Sequence, residues 1–522
     1  MDLLPQSIVN DILDFATDGL YSEFNLPALH HRSQLASLAT VSRKFQYAIE
    51  RNTFKTLFLD LDRIRSASTT LSQFARWKHL RDIVFFVMLP EYDEAACTRY
   101  ENEAEQVENS RLLTQNIVEL FHLLSQRPAQ YISATLSLKL DILSRSDIFV
   151  RYSTPDQGLV SRRFTHAGPV PGDMGSCRYM WSKILLDESV SLASTKHLQL
   201  LAFSLAQDGI CRQVVHTDTI RRLTSAIMQS KPNGLALTFH DAEYELFRRI
   251  ANRENVAHTI DSFPKLNKAV IKFYFLPHLN HNIRPPVLLD QDSQSDPVSC
   301  ALRRLSQRTT SISITGTLCS TELFWPKDHL PGAPSPRWES LETLDLLYRP
   351  ITPGGKWLFE RDDSWTPRVI RKPVRFFDPV ERRPRENGRL YQWRYSPIQQ
   401  IMDEFYIAVG QAVANMPKLM KLNLVRIDDP EWRLDGSCLH AFSFQVFEDK
   451  HALAYWAGSP GYSPSEAVLK AWRRAAYERG VILMFRVENH PIRDRDGSEM
   501  PDTSIDDDEE EEEEENEENE ED

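Results

Sequence analysis

The chain has 522 residues, of which 61 are Lys or Arg and 74 are Asp or Glu, and its formal net charge at pH 7 is −13. At roughly 100 to 200 residues per domain, this length predicts about three domain equivalents or one long repetitive body. Fifteen of the acidic residues lie between Asp506 and Asp522, so the rest of the chain has 61 basic and 59 acidic residues. Such a nearly neutral body argues against a general nucleic-acid binder, which usually has a clear basic excess.

The longest notable apolar run, Ile83 to Leu89, is strand-sized and well short of the roughly 18 residues of a membrane-spanning helix. The N-terminus lacks a basic segment followed by an apolar one, so no secretory signal is predicted. The cysteines lack C-x-x-C spacing, which argues against a zinc or disulfide framework and favours a reducing compartment. These cysteines are Cys97, Cys177, Cys211, Cys300, Cys319 and Cys438. We therefore expect an intracellular protein, cytoplasmic or nuclear.

The first predicted elements are two short amphipathic helices. Their sequences are Leu4-Pro5-Gln6-Ser7-Ile8-Val9-Asn10-Asp11-Ile12-Leu13 and Leu35-Ala36-Ser37-Leu38-Ala39-Thr40-Val41-Ser42-Arg43-Lys44-Phe45. Apolar residues recur at intervals of three and four in both, as on one face of a helix. Pro5 suits a first helical turn, where its missing N–H would have no intrahelical partner.

The two segments, read as L-P-x-x-I-x-x-x-I-L and L-x-x-L-x-x-V-S-R-x-F, resemble an F-box. The resemblance implies a three-helix module over residues 1–55 that docks on the Skp-type adaptor of a cullin-RING ubiquitin ligase. The implied adaptor contacts are Leu4, Pro5, Ile8, Ile12 and Leu13 in the first helix and Leu35, Leu38, Val41 and Phe45 in the second. Residues 14–34 are longer than the usual connection in that family, so we expect an extra loop there.

Strand-like apolar runs then alternate with helical patterns. The predicted strands are Leu136–Leu140, Leu200–Phe203, Leu235–Phe239, Ile271–Phe275, Ile312–Ile314, Leu341–Leu346 and Leu419–Leu424. The predicted helices between them include Ser110–Ser125, Thr219–Gln229 and Ile398–Met416.

The spacing of these strands indicates a repeat. Their central residues (Phe203, Leu237, Phe273, Ile314 and Leu346) are 32 to 41 residues apart, longer than the ~20 to 29 of ordinary leucine-rich repeats. A single strand–helix unit cannot bury its apolar face alone, so stacked neighbours would share one core. We therefore predict an α/β fold with an irregular leucine-rich-repeat-like solenoid over residues 56–490; a non-repetitive α/β or α+β domain is the alternative.

Four segments rich in Pro, Gly, Asp or Arg are predicted to be loops, and solenoid insertions often gather on one binding face. They are Thr154–Ser176, His278–Pro297, Pro326–Pro336 and Arg349–Ser396. The fourth interleaves Arg371, Lys372, Arg375, Arg382, Arg383, Arg385 and Arg389 with Phe376, Phe377, Tyr391, Trp393 and Tyr395. Such a mixture can grip a nucleic acid, but the nearly neutral body favours a solvated loop balanced by nearby acidic residues or by the acidic tail.

Residues 430–490 are predicted to form a terminal unit with strands at Leu439–Phe447 and Val481–Val487. The helix between them is predicted to have Ser463 as its cap, Pro464 at its first position, Glu466 in a capping box and Gly480 at its end. Trp456 and Trp472 are expected to be core residues. Together with Pro353–Phe359, this end resembles an uncharacterised domain of many fungal F-box proteins, a resemblance that implies no activity.

The segment from residue 491 onward, acidic from Asp506, has too few apolar groups to offset the entropy of ordering, so a disordered tail is predicted. Solvation is its simplest role. Alternatively, it captures a basic partner or folds over the Arg-rich loop, an attraction that salt would weaken.

The sequence contains no nucleophile elbow, zinc-protease motif, phosphate-binding loop or dinucleotide fingerprint. We therefore expect no catalytic activity, cofactor or metal. The resemblance to F-box proteins instead implies a substrate-recognition subunit of an SCF-type ubiquitin ligase that holds an unknown protein substrate on its repeat body. The alternatives are a scaffold that acts outside ubiquitin ligation and a nucleic-acid-associated protein that works through Arg371 to Arg389.

Overall fold

The computed structural model describes residues 5–9, 39–93, 96, 99–128, 135–144, 146, 182–195, 200–206, 214–240, 246–274, 284–289, 295–327, 335–361, 368–370, 376–378, 383–385, 390–392, 394–427, 440–458 and 461–489. Five of the predicted adaptor contacts lie outside these residues: Leu4, Ile12, Leu13, Leu35 and Leu38. The predicted loop Thr154–Ser176 and the acidic tail lie outside them as well.

Helices alternate with strands along most of the chain. The helices are α1 (Arg43–Thr53), α2 (Leu61–Ser72), α3 (Glu103–Ser125), α4 (Thr217–Met228), α5 (Leu246–Asp261), α6 (Pro297–Ser306), α7 (Gln399–Val413) and α8 (Glu466–Arg479). The strands are β1 (Thr56–Leu59), β2 (Asp82–Leu89), β3 (Leu136–Ser144), β4 (Lys183–Ile184), β5 (Leu200–Ala206), β6 (Val214–Val215), β7 (Gly234–His240), β8 (Leu266–Tyr274), β9 (Thr309–Leu318), β10 (Thr343–Arg349), β11 (Phe359–Arg361), β12 (Arg368–Ile370), β13 (Phe376–Asp378), β14 (Arg383–Arg385), β15 (Leu390–Gln392), β16 (Arg394–Pro397), β17 (Lys421–Arg426), β18 (His440–Val446), β19 (His451–Gly458) and β20 (Ile482–Asn489).

Twelve strands form one sheet, and their order in space follows their order along the chain: β1-β2-β3-β5-β7-β8-β9-β10-β17-β18-β19-β20. All neighbours pair in parallel except β18, which is antiparallel to both β17 and β19. The predicted α/β class is therefore confirmed at the level of a large, mostly parallel sheet with helical connections. Each strand lies beside the one that precedes it in the sheet, so successive strand–helix units are neighbours.

The sheet has one buried face and one open face. In β2 the buried side chains are Ile83, Phe85, Val87 and Leu89, and the residues between them are only partly buried. The helices cover the buried face, and the two layers share one continuous apolar core from Leu59 to Ala475. Each Leu, Ile or Phe side chain buried there stabilises the fold by roughly 1.5 to 3 kcal/mol.

The connections differ sharply between the two edges of the sheet. Connections from a helix to the next strand are short, as at 229–233, 262–265 and 307–308. Connections that leave the carboxyl ends of the parallel strands include 275–296, 350–398 and 427–439. We call this second edge the carboxyl edge. The longest insertions therefore gather at one edge of the sheet.

The predicted loop Arg349–Ser396 contains strands, which corrects the sequence-based expectation. Three short antiparallel pairs are nested one within another: β11 with β16, β12 with β15, and β13 with β14. We call residues 359–397 the basic arm. Each strand has only three or four residues, which is too short to show a period, and β11 and β12 pair with strands that are not their neighbours along the chain.

The terminal unit also differs from its prediction. The strand β19 was not predicted, and it lies between β18 and β20 in the sheet. The α8 helix begins at Glu466, because Ser465 rather than Ser463 is the N-cap and its hydroxyl accepts from the Val468 amide at 3.4 Å. Gly480 ends the helix as predicted, with a positive φ of 65° that favours glycine.

Candidate partner-binding surfaces

The N-terminal head consists, in the described residues, of a helical turn at 6–9 and of α1. The Val9 amide donates to the Pro5 carbonyl at 3.2 Å, as expected for a turn that begins at proline. The second predicted helix differs in its start. Residues 39–41 form a turn, and Ser42 caps α1 by accepting from the Phe45 amide at 3.3 Å. Val41 therefore lies just before the helix.

The head has a small apolar core that is separate from the core of the sheet. Val9, Phe45, Ala48 and Ile49 are buried against one another, with Ala39 packed beside them. The side-chain amide of Gln6 also donates to the Lys44 carbonyl at 3.1 Å. These contacts hold the first turn against α1.

The predicted adaptor contacts that lie among the described residues differ in their exposure to solvent. Ile8 and Val41 are 43% and 49% exposed, and Pro5 is exposed as well. Phe45 is only 7% exposed, so it supports the shape of the head from inside rather than offering area to a partner. Two of the predicted residues thus present apolar surface to solvent beside a formed core.

A polar and aromatic joint fixes the head to the sheet. The Arg76 guanidinium donates to the Glu50 carboxylate at 2.8 Å and 3.1 Å and lies 4.6 Å from the centre of the Phe54 ring. The Tyr47 ring meets the His79 ring edge-on at 5.0 Å. Arg76 and His79 lie in and just after the 3-10 segment Gln73–Lys78, directly before β2. The head is therefore fixed to the first strands of the sheet.

His79 lies in this joint as a buried, neutral ring. Burial is the largest cause that lowers its pKa, and the nearby cations Lys78, Arg81 and Arg51 lower it further, to about 4, against the opposing effect of Glu50. The imidazole is therefore uncharged near neutral pH. Sequence reasoning missed the joint because Glu50 and Arg76 are 26 positions apart and carry no motif.

The open face of the sheet offers a second surface. Near its N-terminal end the Phe58 and Phe86 rings stack at 6.5 Å, and Phe58 is 41% exposed. At the C-terminal end, Ile482 and Met484 are 62% and 46% exposed. Small residues occupy one register row across the middle strands: Ser204, Ala236, Val270, Ser313, Asp345, Asn423 and Ser443. The face therefore has apolar ends and a flat, more polar centre.

The base of the basic arm is rigidly held at the carboxyl edge. The Arg426 guanidinium lies 4.0 Å from the centre of the buried Phe359 ring, and the Arg394 guanidinium lies 5.2 Å from that of Trp357. Tyr395 is only 6% exposed, so this aromatic residue of the predicted nucleic-acid grip is not available for stacking on a base. Trp393 and most of the predicted basic residues lie outside the described residues.

A tight turn precedes the arm. Gly355 has a φ of +70°, and a Cβ at this position would lie 2.9 Å from the Pro285 carbonyl oxygen. The Leu288 amide donates to the Pro353 carbonyl at 2.8 Å, and a small apolar cluster joins Leu288 to Trp357. The segment after β8 and the base of the arm are thus packed together at the same edge.

Several buried polar groups in the described residues form internal pairs. Arg253 donates to Asp296 at 2.8 and 2.9 Å, and Glu322 accepts from the Asp296 amide at 2.8 Å. His440 shares a 2.8 Å hydrogen bond with the Tyr406 hydroxyl. Burial and then Arg426 lower the pKa of His440 to about 3. Within the described residues, no group of three or more His, Cys, Asp or Glu side chains is arranged to hold a metal ion.

The predicted His278–His281 pair lies outside the described residues. No helix in the described ranges is both long enough and apolar enough to cross a bilayer. The chain matches no protein-family model, no curated protein and no solved structure.

Proposed function

We propose that the chain is the substrate-recognition subunit of an SCF-type cullin-RING ubiquitin ligase. The head docks on the Skp-type adaptor, and the sheet presents a protein substrate. In this proposal the body is an irregular leucine-rich-repeat-like solenoid, supported by the sequential order of its parallel strands.

One observation carries the proposal. Ile8 and Val41 expose apolar surface beside the small buried core formed by Val9, Phe45, Ala48 and Ile49. The hydrophobic effect favours covering such surface. The residues that lie exposed are ones that the F-box resemblance assigns to adaptor contact, and Phe45 supports them from within.

The mechanism is proximity. A docked substrate is held near a ubiquitin-charged enzyme that other subunits supply, so a bimolecular transfer becomes effectively unimolecular. The joint at Glu50 and Arg76 transmits the position of the head to the sheet. The residues of this chain bind and orient; the bond-making steps belong to its partners.

The test is recovery of the adaptor and the cullin with tagged full-length chain from cells. Ile8→Asp combined with Val41→Asp would bury two unpaired carboxylates at the interface. Because each such burial costs several kcal/mol, we expect adaptor affinity to fall by at least roughly a hundredfold, at 1.4 kcal/mol per factor of ten.

Val107→Asp is the matched control, since Val107 is 63% exposed on α3 and far along the chain from the head. The control should recover adaptor and cullin at the wild-type level. Recovery of the adaptor without the cullin would favour a scaffold that acts outside ubiquitin ligation. Failure of the wild-type chain to bind the adaptor would refute the proposal.

A further inference from the structure

The last strand of the sheet has an open edge. The strand β20 ends the strand order, and within the described residues no strand lies beyond it. It pairs with β19 along all eight of its residues without a break in register. Proteins usually protect such an edge with a proline, a bulge or a very short strand, and β20 has none of these. The edge can therefore serve as a template for another strand.

The backbone of β20 shows which residues form this edge. The Ile482 amide donates to the Lys450 carbonyl at 2.9 Å, on the side of β19. The N–H and C=O groups of successive residues point alternately to the two sides of a strand. Leu483, Phe485 and Val487 therefore direct their N–H and C=O groups away from the sheet.

Apolar side chains line both faces of the same edge. On the covered face, Leu483 and Phe485 are only partly buried against the main core, and Val487, which shares their face, is 43% exposed. On the open face, Ile482 and Met484 are 62% and 46% exposed. The hydrophobic effect favours covering this surface.

The helix α8 lies beside the edge and adds a second layer to it. The Arg473 guanidinium lies 5.8 Å from the centre of the Phe485 ring and donates to the Glu466 carboxylate at 2.6 Å. Tyr477 follows Arg473 by four residues, so it lies on the same side of the helix, and it is 84% exposed. The edge thus presents a strand together with one face of a helix.

A second copy of the chain matches the strand layer. We consider antiparallel pairing of β20 with β20 about a two-fold axis at Phe485, which uses the outward N–H and C=O groups of both strands. The opposed residues are then Ile482 with Glu488, Leu483 with Val487, Met484 with Arg486, and Phe485 with Phe485. Every pair on the covered face is apolar, and no like charges lie directly opposite each other, which would be destabilising.

The helix layer matches as well. The ion pair of Arg473 with Glu466 lies over Phe485, so the axis brings the ion pairs of the two copies together. The two-fold rotation lets each guanidinium face the carboxylate of the other copy. A lone strand from another protein would cover β20 and leave Tyr477 exposed, whereas a second copy brings both a strand and a helix.

We propose that two copies of the chain form a symmetric dimer through antiparallel pairing of β20. A two-fold interface of this kind is closed, so assembly stops at two copies. The heads adjoin β1, at the opposite end of the strand order, so both stay free at the two ends of the joined sheet. The dimer is independent of adaptor binding by the head.

The size of the edge sets the expected affinity. Eight residues of β20 span about 26 Å, and a sheet layer of ~10 Å with a helix of ~10 Å makes the edge about 20 Å high. Two such edges bury on the order of 1,000 Å², the low end for a specific interface. We therefore expect a Kd of about 1 μM rather than a permanent dimer.

The test is sedimentation velocity of the full-length chain at concentrations from well below to well above about 1 μM. We expect a shift from monomer to dimer with rising concentration. A monomer at every concentration would overturn the proposal and leave the edge to a strand of another protein. Assembly that continues beyond two copies would overturn it too. The Ile8→Asp and Val41→Asp variant should dimerise like wild type, so this test is separate from the test of adaptor binding.

Charge at position 484 tests the register. Met484→Lys and Met484→Glu remove the same apolar side chain, but lysine then opposes Arg486 of the second copy with like charge and glutamate opposes it with opposite charge. We expect the Kd of the lysine variant to be at least tenfold higher than that of the glutamate variant. Adding Arg486→Glu to Met484→Lys should lower the Kd again. Equal Kd values for the lysine and glutamate variants would contradict this pairing.

Position 487 tests the backbone contact. Val487→Pro removes an N–H that points away from the sheet, so the hydrogen bonds between β20 and β19 remain. The matched control is Val487→Ala, which shortens the side chain and keeps the N–H. We expect the proline variant to raise the Kd at least tenfold above that of the alanine variant, with unchanged circular dichroism. Equal Kd values for the two variants would show that the strands do not pair through this edge.

Discussion

The head and the terminal unit bury their apolar residues in different cores. The head core consists of Val9, Phe45, Ala48 and Ile49, and two apolar residues next to it, Ile8 and Val41, remain exposed. The terminal unit packs Phe442, Phe444, Trp456 and Trp472 into the main core, with ring centres 4.8 to 6.3 Å apart.

Both units expose some apolar residues, since Ile482 and Met484 of the terminal unit are 62% and 46% exposed, so the difference lies in how the buried residues of each unit are packed. Aromatic side chains that bury their full surface supply the largest single contributions to a core. The four rings therefore fill the core at the C-terminal end of the sheet. The head instead has a small core of its own and is fixed to the sheet by a polar joint.

The largest effect on stability is expected when a buried aromatic ring is removed from the terminal unit. Trp472 is fully buried, and its indole N–H donates to the Tyr406 carbonyl at 3.2 Å. Trp472→Ala should lower the free energy of unfolding by about 3 to 5 kcal/mol, measured by urea titration followed by circular dichroism. Tyr477→Ala on the same helix, at an 84% exposed position, should change it by less than about 0.5 kcal/mol. A loss below 1 kcal/mol for Trp472→Ala would contradict a tightly packed aromatic core in the terminal unit.

The second largest effect is a dependence of the free energy of unfolding on pH, which comes from His440. Its pKa is about 3 in the folded protein and about 6.5 in the unfolded chain. Above pH 6.5 the His440 imidazole is neutral in both the folded and the unfolded protein. Between pH 6.5 and 3 it is protonated in the unfolded protein and neutral in the folded protein. Stability should therefore fall between pH 6.5 and 3, by about 2 kcal/mol at pH 5.

The measurement is the urea midpoint as a function of pH for wild type and His440→Gln. The variant should show a shallower decline between pH 6.5 and 5. His79, whose pKa is about 4, acts in the same direction from the joint, so His79→Gln combined with His440→Gln should flatten the profile further. Identical slopes in all three proteins would show that neither ring stays neutral in the fold.

A smaller effect is expected at the joint. Glu50 and Arg76 are mostly buried, with side chains 11% and 16% exposed. A double-mutant cycle with Glu50→Gln and Arg76→Gln should give a coupling energy of about 1 kcal/mol. The matched pair is Glu108 and Arg111 on α3, which are 45% and 59% exposed and should couple by a few tenths of a kcal/mol at most. Equal coupling in the two cycles would mean that the joint is no tighter than a surface ion pair.

The smallest effect on stability is expected for an exposed apolar residue of the head. Val41→Ser removes an exposed apolar side chain, so the unfolding free energy should stay within about 0.5 kcal/mol of wild type. Phe45→Ser, inside the head core, should instead cause a clear loss of head structure, read as faster amide hydrogen exchange in α1. If Val41→Ser destabilised the protein as much as Phe45→Ser, the exposed surface would belong to the fold rather than to a partner.

Sequence patterns predicted the body of the sheet well because each of its strands is a local apolar run. The run at Leu235–Phe239 became β7, the run at Ile312–Ile314 became the centre of β9, and Ser110–Ser125 is contained in α3. The glycine signal at the end of α8 was also reliable, since a left-handed residue is needed there.

The features that the sequence did not reveal depend on long-range pairing. The arm pairs Phe359 with Pro397, and the joint unites Glu50 with Arg76, so no local window contains either contact. The predicted start of α8 was two residues too early, because Ser463 and Ser465 are equally good capping residues and the local pattern does not distinguish them. Of the predicted adaptor contacts, only Pro5, Ile8, Val41 and Phe45 are among the described residues.

The unequal edges of the sheet have a consequence for how such a chain changes over evolutionary time. Each doubling of a flexible connection adds only about 0.6 kcal/mol of closure entropy, so growth from five residues to the length of 350–398 adds about 2 kcal/mol. Strand pairing and the covered face are untouched by that growth. Insertions at the carboxyl edge can therefore lengthen or shorten at little cost to the fold, while the short connections at the opposite edge fix the register of the strands.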